Sequence, residues 1–235
     1  MFNKIFSSIK YRFKKFFLKI FLRFDSIYSI NRVKKSKNTK GLFIDCGSNI
    51  GQGFNMFKKF FPLKYFDYVL IEPNPNCLNY LKEIKKELEQ KEENKIDIIN
   101  KAASSKDGTT KFFGLSEDKR GILSDGGSIL KEHNSLSYDA IENKAIEVET
   151  FSLSDFIKRK SLLYDTIILK LDIEGAEYEV LENLLFNKMH LKLNIIYNEF
   201  HSEYMDYDNK KKYNNLEKKL VHNINKDKIK LRIWF

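Results

Sequence analysis

LFIDCGSNIG, residues 42–51, is the stretch from which the rest of the chain can be read. An apolar run ends in Asp45, and Gly47, Asn49 and Gly51 follow at alternate positions, with Gly53 after them, before a segment of helical spacing. The pattern predicts a strand, a glycine turn and a helix start. Glycine lacks a Cβ, so the backbone can turn sharply and approach a ligand closely, while the free N–H groups of a following helix favour an anionic group. A nucleotide-like cofactor is the natural occupant of such a turn. A second apolar run, DYVLIEPNP at 67–75, ends in Glu72, and a carboxylate placed after the next strand can accept both hydroxyls of a ribose.

From Gly41 onward apolar strands and helical segments alternate, which predicts an α/β fold with a mostly parallel, doubly wound sheet and helices on both faces. Strands are expected at 42–46 and 67–72, with a helix at about 50–60 between them. Asn74 can cap a helix that has Pro75 at its first position and runs through the charged segment LKEIKKELEQKEEN. KIDIINKAAS (95–104) reads as the third strand, forming a hairpin with KFFGL (111–115) through a turn near Asp107 and Gly108. Residues 116–145 are polar, include GGS at 126–128, and are the best candidate for a lid over a bound ligand. IEVETFSLSDFIKR then reads as a strand and a helix capped by Ser152 or Ser154. TIILKLDIE ends in Asp172 and Glu174 with Gly175 directly after; LKLNIIYNEFH ends in Glu199 and His201; a lysine-rich helix at about 208–221 and a last strand, KIKLRIWF, complete the pattern.

The formal net charge of +10 is unevenly placed. Residues 1–40 hold twelve Lys and Arg against one acid, Asp25, so the remainder of the 235 residues nets −1. Basic character confined to one segment is poor support for a nucleic-acid enzyme, which would carry a basic face on the folded body. Phe2, Ile5, Phe6, Ile9, Phe13, Phe16, Phe17, Ile20, Phe21 and Phe24 recur at helical spacing, but lysines and arginines break every apolar run, so the roughly 20 apolar residues of a membrane span are absent. Two readings compete for this helix: packing on the catalytic body, where it can roof the cofactor, or peripheral contact through residues 1–30 with an anionic membrane surface. Residues 31–41 read as a basic linker, dividing the chain into an N-terminal segment, 1–40, and a catalytic domain, 41–235. Cys46 and Cys77 are too few and too apolar in context for a disulfide framework, which points to a reducing cytoplasm; the membrane reading of residues 1–30 would place the chain at the inner face of the membrane.

Taken in order, FIDCGSNIG (43–51), IEPNP (71–75), NKAAS (100–104), ETFSLSDFI (149–157), LKLDIEGAE (169–177) and NEFH (198–201) resemble the FkbM family of S-adenosylmethionine-dependent methyltransferases. The resemblance covers most of residues 41–201. It implies a Rossmann-like class I methyltransferase fold, S-adenosyl-L-methionine as cofactor, and O-methylation of a hydroxyl on a sugar or glycan precursor, nucleotide- or lipid-linked, in bacterial surface polysaccharide biosynthesis. On that reading Asp45, Gly47, Asn49 and Gly51 seat the cofactor, Glu72 binds its ribose, and Asn74 and Ala102 lie beside it. Methyl transfer from a sulfonium is an in-line displacement, so the protein must align the acceptor and remove its proton. By the two-residue strand period Lys170, Asp172 and Glu174 share a face, as do Tyr197, Glu199 and His201; if the two strands are neighbours, Asp172, Glu199 and His201 converge. His201 is the first candidate for general base because its ordinary pKa is near neutrality, and Asp172 the second, with a further part in orienting the cofactor. His133 lies in the long loop, within reach of a substrate, while His190 and His222 read as solvated. The same trio can ligate a divalent metal, although such sites ordinarily carry more carboxylates, and no metal is expected. Methyltransferases of this sheet topology commonly close with a strand pair, one member antiparallel, whereas only one clear strand follows His201. The rivals are a noncatalytic membrane-associated scaffold with a vestigial cofactor fold, a nucleic-acid methyltransferase, disfavoured by LDIEG where a proline-rich aromatic motif is required, and a nicotinamide dehydrogenase, disfavoured by the absent strict glycine fingerprint.

Overall fold

A computed structural model describes the backbone of residues 2–89, 95–134 and 138–233 and the side chains from residue 18 onward. Six parallel strands form the central sheet: β1 (Gly41–Cys46), β2 (Phe66–Ile71), β3 (Ile96–Ile99) and, after three strands of a second sheet, β7 (Ile167–Leu171), β8 (Ile195–Asn198) and β9 (Lys230–Ile233). Their order is β3-β2-β1-β7-β8-β9, every neighbouring pair parallel. The chain winds outward from β1 in one direction and from β7 in the other. A parallel sheet wound this way opens a crevice beyond the C-terminal ends of the two central strands, where the flanking connections diverge to opposite faces. The last strand, β9, is parallel, so no antiparallel closing pair is present among the described residues.

Continuous burial explains why the strands are apolar throughout. All six residues of β1 are buried, alternating between two cores. Ile44, Val69, Leu169 and Ile196 face α4 (Leu153–Lys160), α5 (Glu177–Phe186) and α6 (Tyr207–Lys226). Phe43, Tyr68, Ile168 and Tyr197 face α1 (Phe2–Lys35), α2 (Gln52–Phe57) and α3 (Leu78–Glu89). This second core is aromatic: the Phe43 ring lies 5.0 Å from Phe57, 5.4 Å from Phe61 and 5.2 Å from Tyr68. Asn74 accepts from the Asn76 N–H and caps a short 3-10 turn, Pro75–Cys77, that leads into α3, and Ser152, not Ser154, caps α4.

Several local expectations change. α2 has six residues, shorter than the helix expected at 50–60. The charged run is helical to Glu89, and residues 90–94 lie outside the described residues. The expected third strand divides at Asn100, its second part becoming β4 (Ala102–Ser104). β5 (Gly108–Phe112) does not make a hairpin with β4. Both instead flank β6 (Ile146–Ser152), β4 parallel and β5 antiparallel to it. The Asp107 turn is anchored by that strand, its Oδ1 accepting from the Ser152 N–H at 2.8 Å.

α1 continues to Lys35, through much of the expected basic linker, because Val33 is buried in the aromatic core with Leu18 and Leu22. The lone acid of the segment, Asp25, is buried and accepts from Arg232 Nε at 2.8 Å, Arg232 Nη2 at 2.9 Å and the Tyr197 hydroxyl at 3.1 Å. At the other end of the helix Arg32 donates to the Asp165 carbonyl and Ser36 to its carboxylate. The described part of α1 thus packs across a sheet face, and none of its residues roofs the crevice. Among the described residues no helix is long and apolar enough to cross a membrane.

Candidate active site

Beyond the C-terminal ends of β1, β2 and β7 lies a cavity of about 280 Å³, close to the lower end of the roughly 300–1,000 Å³ range of small-molecule sites. One wall is the turn after β1. Gly47 has φ +78°, and a Cβ there would stand 1.7 Å from the Asp172 carbonyl oxygen, so only glycine lets this turn pass against the end of β7. Gly51 also has positive φ (+92°), but a Cβ there would meet Ile84 of α3 at 2.4 Å. Its freedom serves helix packing, and it does not line the cavity.

Glu72 lines the cavity and is held from two sides. Its Oε2 accepts from the Asn49 N–H at 2.7 Å and its Oε1 from the Asn74 N–H at 2.9 Å. A carboxylate has about four lone-pair sites, so two remain for a ligand's hydroxyls. Burial pushes the Glu72 carboxyl up to about 7 against the pull of those two N–H bonds. Asn49 and Asn74 have a second task. Asn49 Nδ2 donates to the Ser124 carbonyl at 3.1 Å, and Asn74 Nδ2 to the Ile122 carbonyl at 2.8 Å. The loop expected to form a lid is therefore tied to the turns after β1 and β2, and Ser124, Asp125, Gly127 and Ile129 complete the cavity wall, with Phe112 and Ala102 beside them. Within this loop Asp118 accepts from Arg120 and Ser124; these bonds outweigh its desolvation and hold its carboxyl down to about 2. Residues 135–137 lie outside the described residues.

The floor carries the charges. Lys170 is buried, with Nζ 2.8 Å from the Gly47 carbonyl, 3.1 Å from Asp45 Oδ1 and 3.3 Å from Asp172 Oδ2. Burial alone would discharge this ammonium, but Asp172 and Asp45 overcome it and hold its pKa above the ordinary lysine range. Asp45 itself lies behind Lys170 rather than on the cavity wall; burial pushes its carboxyl up and Lys170 pulls it back. Of the residues expected at the cofactor, Gly47, Asn49, Glu72, Ala102 and Asp172 line the cavity, while Asp45, Gly51 and Asn74 stand behind it.

β7 and β8 are neighbours, and Asp172, Glu199 and His201 converge, each offering an atom within 4.8 Å of the others. Asp172 and Glu199 line the cavity; His201 does not. The His201 ring is buried among three carboxylates, with Nδ1 3.2 Å from Glu177 Oε1 and Nε2 3.5 Å from Glu174 Oε2 and 3.7 Å from Asp172 Oδ1. Burial disfavours its charge, yet Glu177, Glu174 and Asp172 together push its pKa up to about 10. A divalent cation on this trio would have to displace the proton those carboxylates hold. Glu199 is raised as well: desolvation first, then the Asp172 carboxylate, push it up to about 7, which favours its neutral acid.

Glu177 closes the LKLDIEGAE stretch. It is fully buried, its Oε2 accepting from the Gly175 N–H at 2.8 Å and its Oε1 from the His201 N–H at 2.9 Å, so it ties the end of β7 to the end of β8. His133 is likewise buried behind the wall, its Nε2 3.0 Å from Glu174 Oε2. His190, expected to be solvated, is buried between the Leu184 carbonyl and Asp227 Oδ2, at 3.2 and 2.7 Å; His222 is exposed.

A family model described as the methyltransferase FkbM domain matches residues 45–223. The chain belongs to that family. The matched span of this FkbM domain begins at Asp45 and takes in the glycine turn, Glu72, the tied loop and the Asp172–Glu199–His201 cluster. Among curated proteins none matches significantly. A solved structure, the methyltransferase FkbM from Methylobacillus flagellatus KT, is similar at 15% identity with a TM-score of 0.40, over 63% of this chain. The alignment spans 30% of that protein's own chain.

Proposed function

We propose that this FkbM-family protein transfers the methyl group of S-adenosylmethionine to a hydroxyl of a sugar or glycan precursor. The observation that carries the reading is one cavity at the strand-order switch with Glu72 on one wall and Asp172 and Glu199 on another. The residues fit the cofactor: Glu72 keeps lone pairs for a ribose, the turn at Gly47 lays backbone along the cavity wall, and Phe112 and Ile129 give an apolar surface for a base. When bound, S-adenosylmethionine supplies an electrophilic methyl on a sulfonium.

Glu199 takes the acceptor's proton. It faces the cavity, and a carboxyl raised to about 7 combines an ionised fraction at neutral pH with enough basicity to accept a hydroxyl proton as it is lost. His201, the first choice on identity alone, is kept protonated by its three carboxylates, and its imidazolium holds Asp172 and Glu174 in place. A hydroxyl acceptor suits this pair of carboxylates because both can accept its hydrogen bond. The sugar class comes from the family resemblance, and the polar wall of Ser124 and Asp125 is compatible with it.

Calorimetric titration with S-adenosylhomocysteine tests the cofactor assignment. Binding in the micromolar range is expected, and Glu72→Ala should weaken it by at least about tenfold, the loss of hydrogen bonds to a charged group. A folded protein that shows no heat of binding would overturn the assignment and favour a vestigial cofactor fold.

A further inference from the structure

We propose that the outer face of α1 docks the protein on an anionic bilayer surface. One side of this helix, with Leu22, Asp25, Ser29 and Val33, is spent on the body. The opposite side presents large apolar groups to solvent: Phe24 is 67% exposed and Ile27 59%, with Phe21 and Tyr28 beside them. Cations frame these groups. Lys230 lies over the Tyr28 ring at 3.4 Å and the Arg232 guanidinium over Phe21 at 4.7 Å, while Lys19, Arg23, Lys34 and Lys35 are exposed along the helix. Apolar and aromatic groups bordered by lysine and arginine are what an interfacial helix needs, the rings entering the headgroup boundary and the cations meeting lipid phosphates.

Charge selects the occupant. The only acid among residues 1–40 is Asp25, and it is buried against Arg232, so nothing on the helix offsets its cations. A second copy of the same face would bring two such cationic helices together, which their repulsion opposes. Contacts at two points fix the orientation of the helix. Its end at Arg32 and Ser36 contacts Asp165, just before β7 begins, whereas Asp25 contacts Tyr197 and Arg232 late in β8 and β9. The helix therefore runs against the strand direction, and its amino end is directed toward the sheet edge at which the cavity lies.

Co-sedimentation of the full chain with vesicles of phosphatidylcholine and phosphatidylglycerol in equal parts, beside vesicles of phosphatidylcholine alone, decides the matter. Pelleting with the anionic vesicles only is expected, weakening at high salt. The double variant Phe24→Ser/Ile27→Ser, with its thermal midpoint matched to the parent, should partition at least about tenfold less. Equal pelleting by the variant would show that another surface binds lipid. No pelleting by the parent, or a parent dimer that the variant converts to monomer, would overturn the proposal, the last result making this face a contact between copies.

Discussion

Glu199 and His201 stand two residues apart, and their surroundings hold both toward the protonated form, which leaves one neutral and the other cationic. Glu199 meets desolvation and the Asp172 carboxylate, which favour its neutral acid; His201 meets three carboxylates, which favour its cation. If Glu199 is the base, kcat/KM rises with pH to a plateau above about 7. Glu199→Gln should lower kcat by about 10²–10⁴-fold and leave binding of S-adenosylhomocysteine intact. The same variant carries a stability signature. A carboxyl whose folded pKa is raised contributes stability below its unfolded pKa, near 4.5, and loses it as pH rises through 7. Glu199→Gln cannot ionise, so it should be more stable than the parent at pH 8 by about 2 kcal/mol, after allowing for screening at a half-buried site. The two should converge at about pH 4, below the unfolded pKa, and thermal unfolding at pH 8 and at about pH 4 checks the sign. The residue types at this site were legible in LKLDIEGAE and NEFH, but the setting of His201 was not. Glu177 enters from α5 after a left-handed pair, Glu174 at φ +51° and Gly175 at φ +102°, and nothing in the spacing of the sequence shows that this bend turns two carboxylates onto one ring.

At the scale of elements, the site depends on backbones that pass at close range. Gly47→Ala places a Cβ 1.7 Å from the Asp172 carbonyl, against backbone that cannot yield, and asks alanine for φ +78°. It should cost several kcal/mol and abolish cofactor binding, visible as a lowered thermal midpoint. Asn74→Ala is gentler. It frees the Ile122 carbonyl and the start of the 3-10 turn while leaving Glu72 in place. Faster amide exchange over residues 120–126 is expected, with a smaller loss of cofactor affinity than Glu72→Ala gives. The parallel strands were readable because burial on both faces makes them continuous apolar runs. The second sheet is hidden in the sequence for the complementary reason: β4 and β5 are close in sequence and joined by a turn motif, while β6, which separates them, arrives more than thirty residues later. Local turn chemistry was correct at Asp107, but the partner it serves is the Ser152 N–H.

Across the whole molecule, the first and last elements close on each other. Asp25 of α1 is satisfied by Arg232 of β9 and Tyr197 of β8. Asp25→Ala would leave a guanidinium without its partner; because Arg232 keeps partial exposure, a loss of about 2 kcal/mol is expected, short of the roughly 3–5 of a fully buried pair. Urea unfolding checks it, and the aromatic core beneath α1 predicts that the midpoint falls without a change in slope. Residues 31–35 read as a linker because Arg32, Lys34 and Lys35 dominate their composition, while the contacts that order them, Val33 in the core and Asp165 beyond the end of the helix, are few and distant in sequence. That clasp joins residues 172 and 207 positions apart. On the ribosome, at roughly 5–20 residues per second, α1 emerges some 10–40 s before the segment carrying Arg232. Throughout that interval Asp25 of the newborn helix lacks the Arg232 guanidinium, although β1 and β2 of the same core are made early in it, so the first companion of its charged side in the cell is whatever lies nearest the exit tunnel.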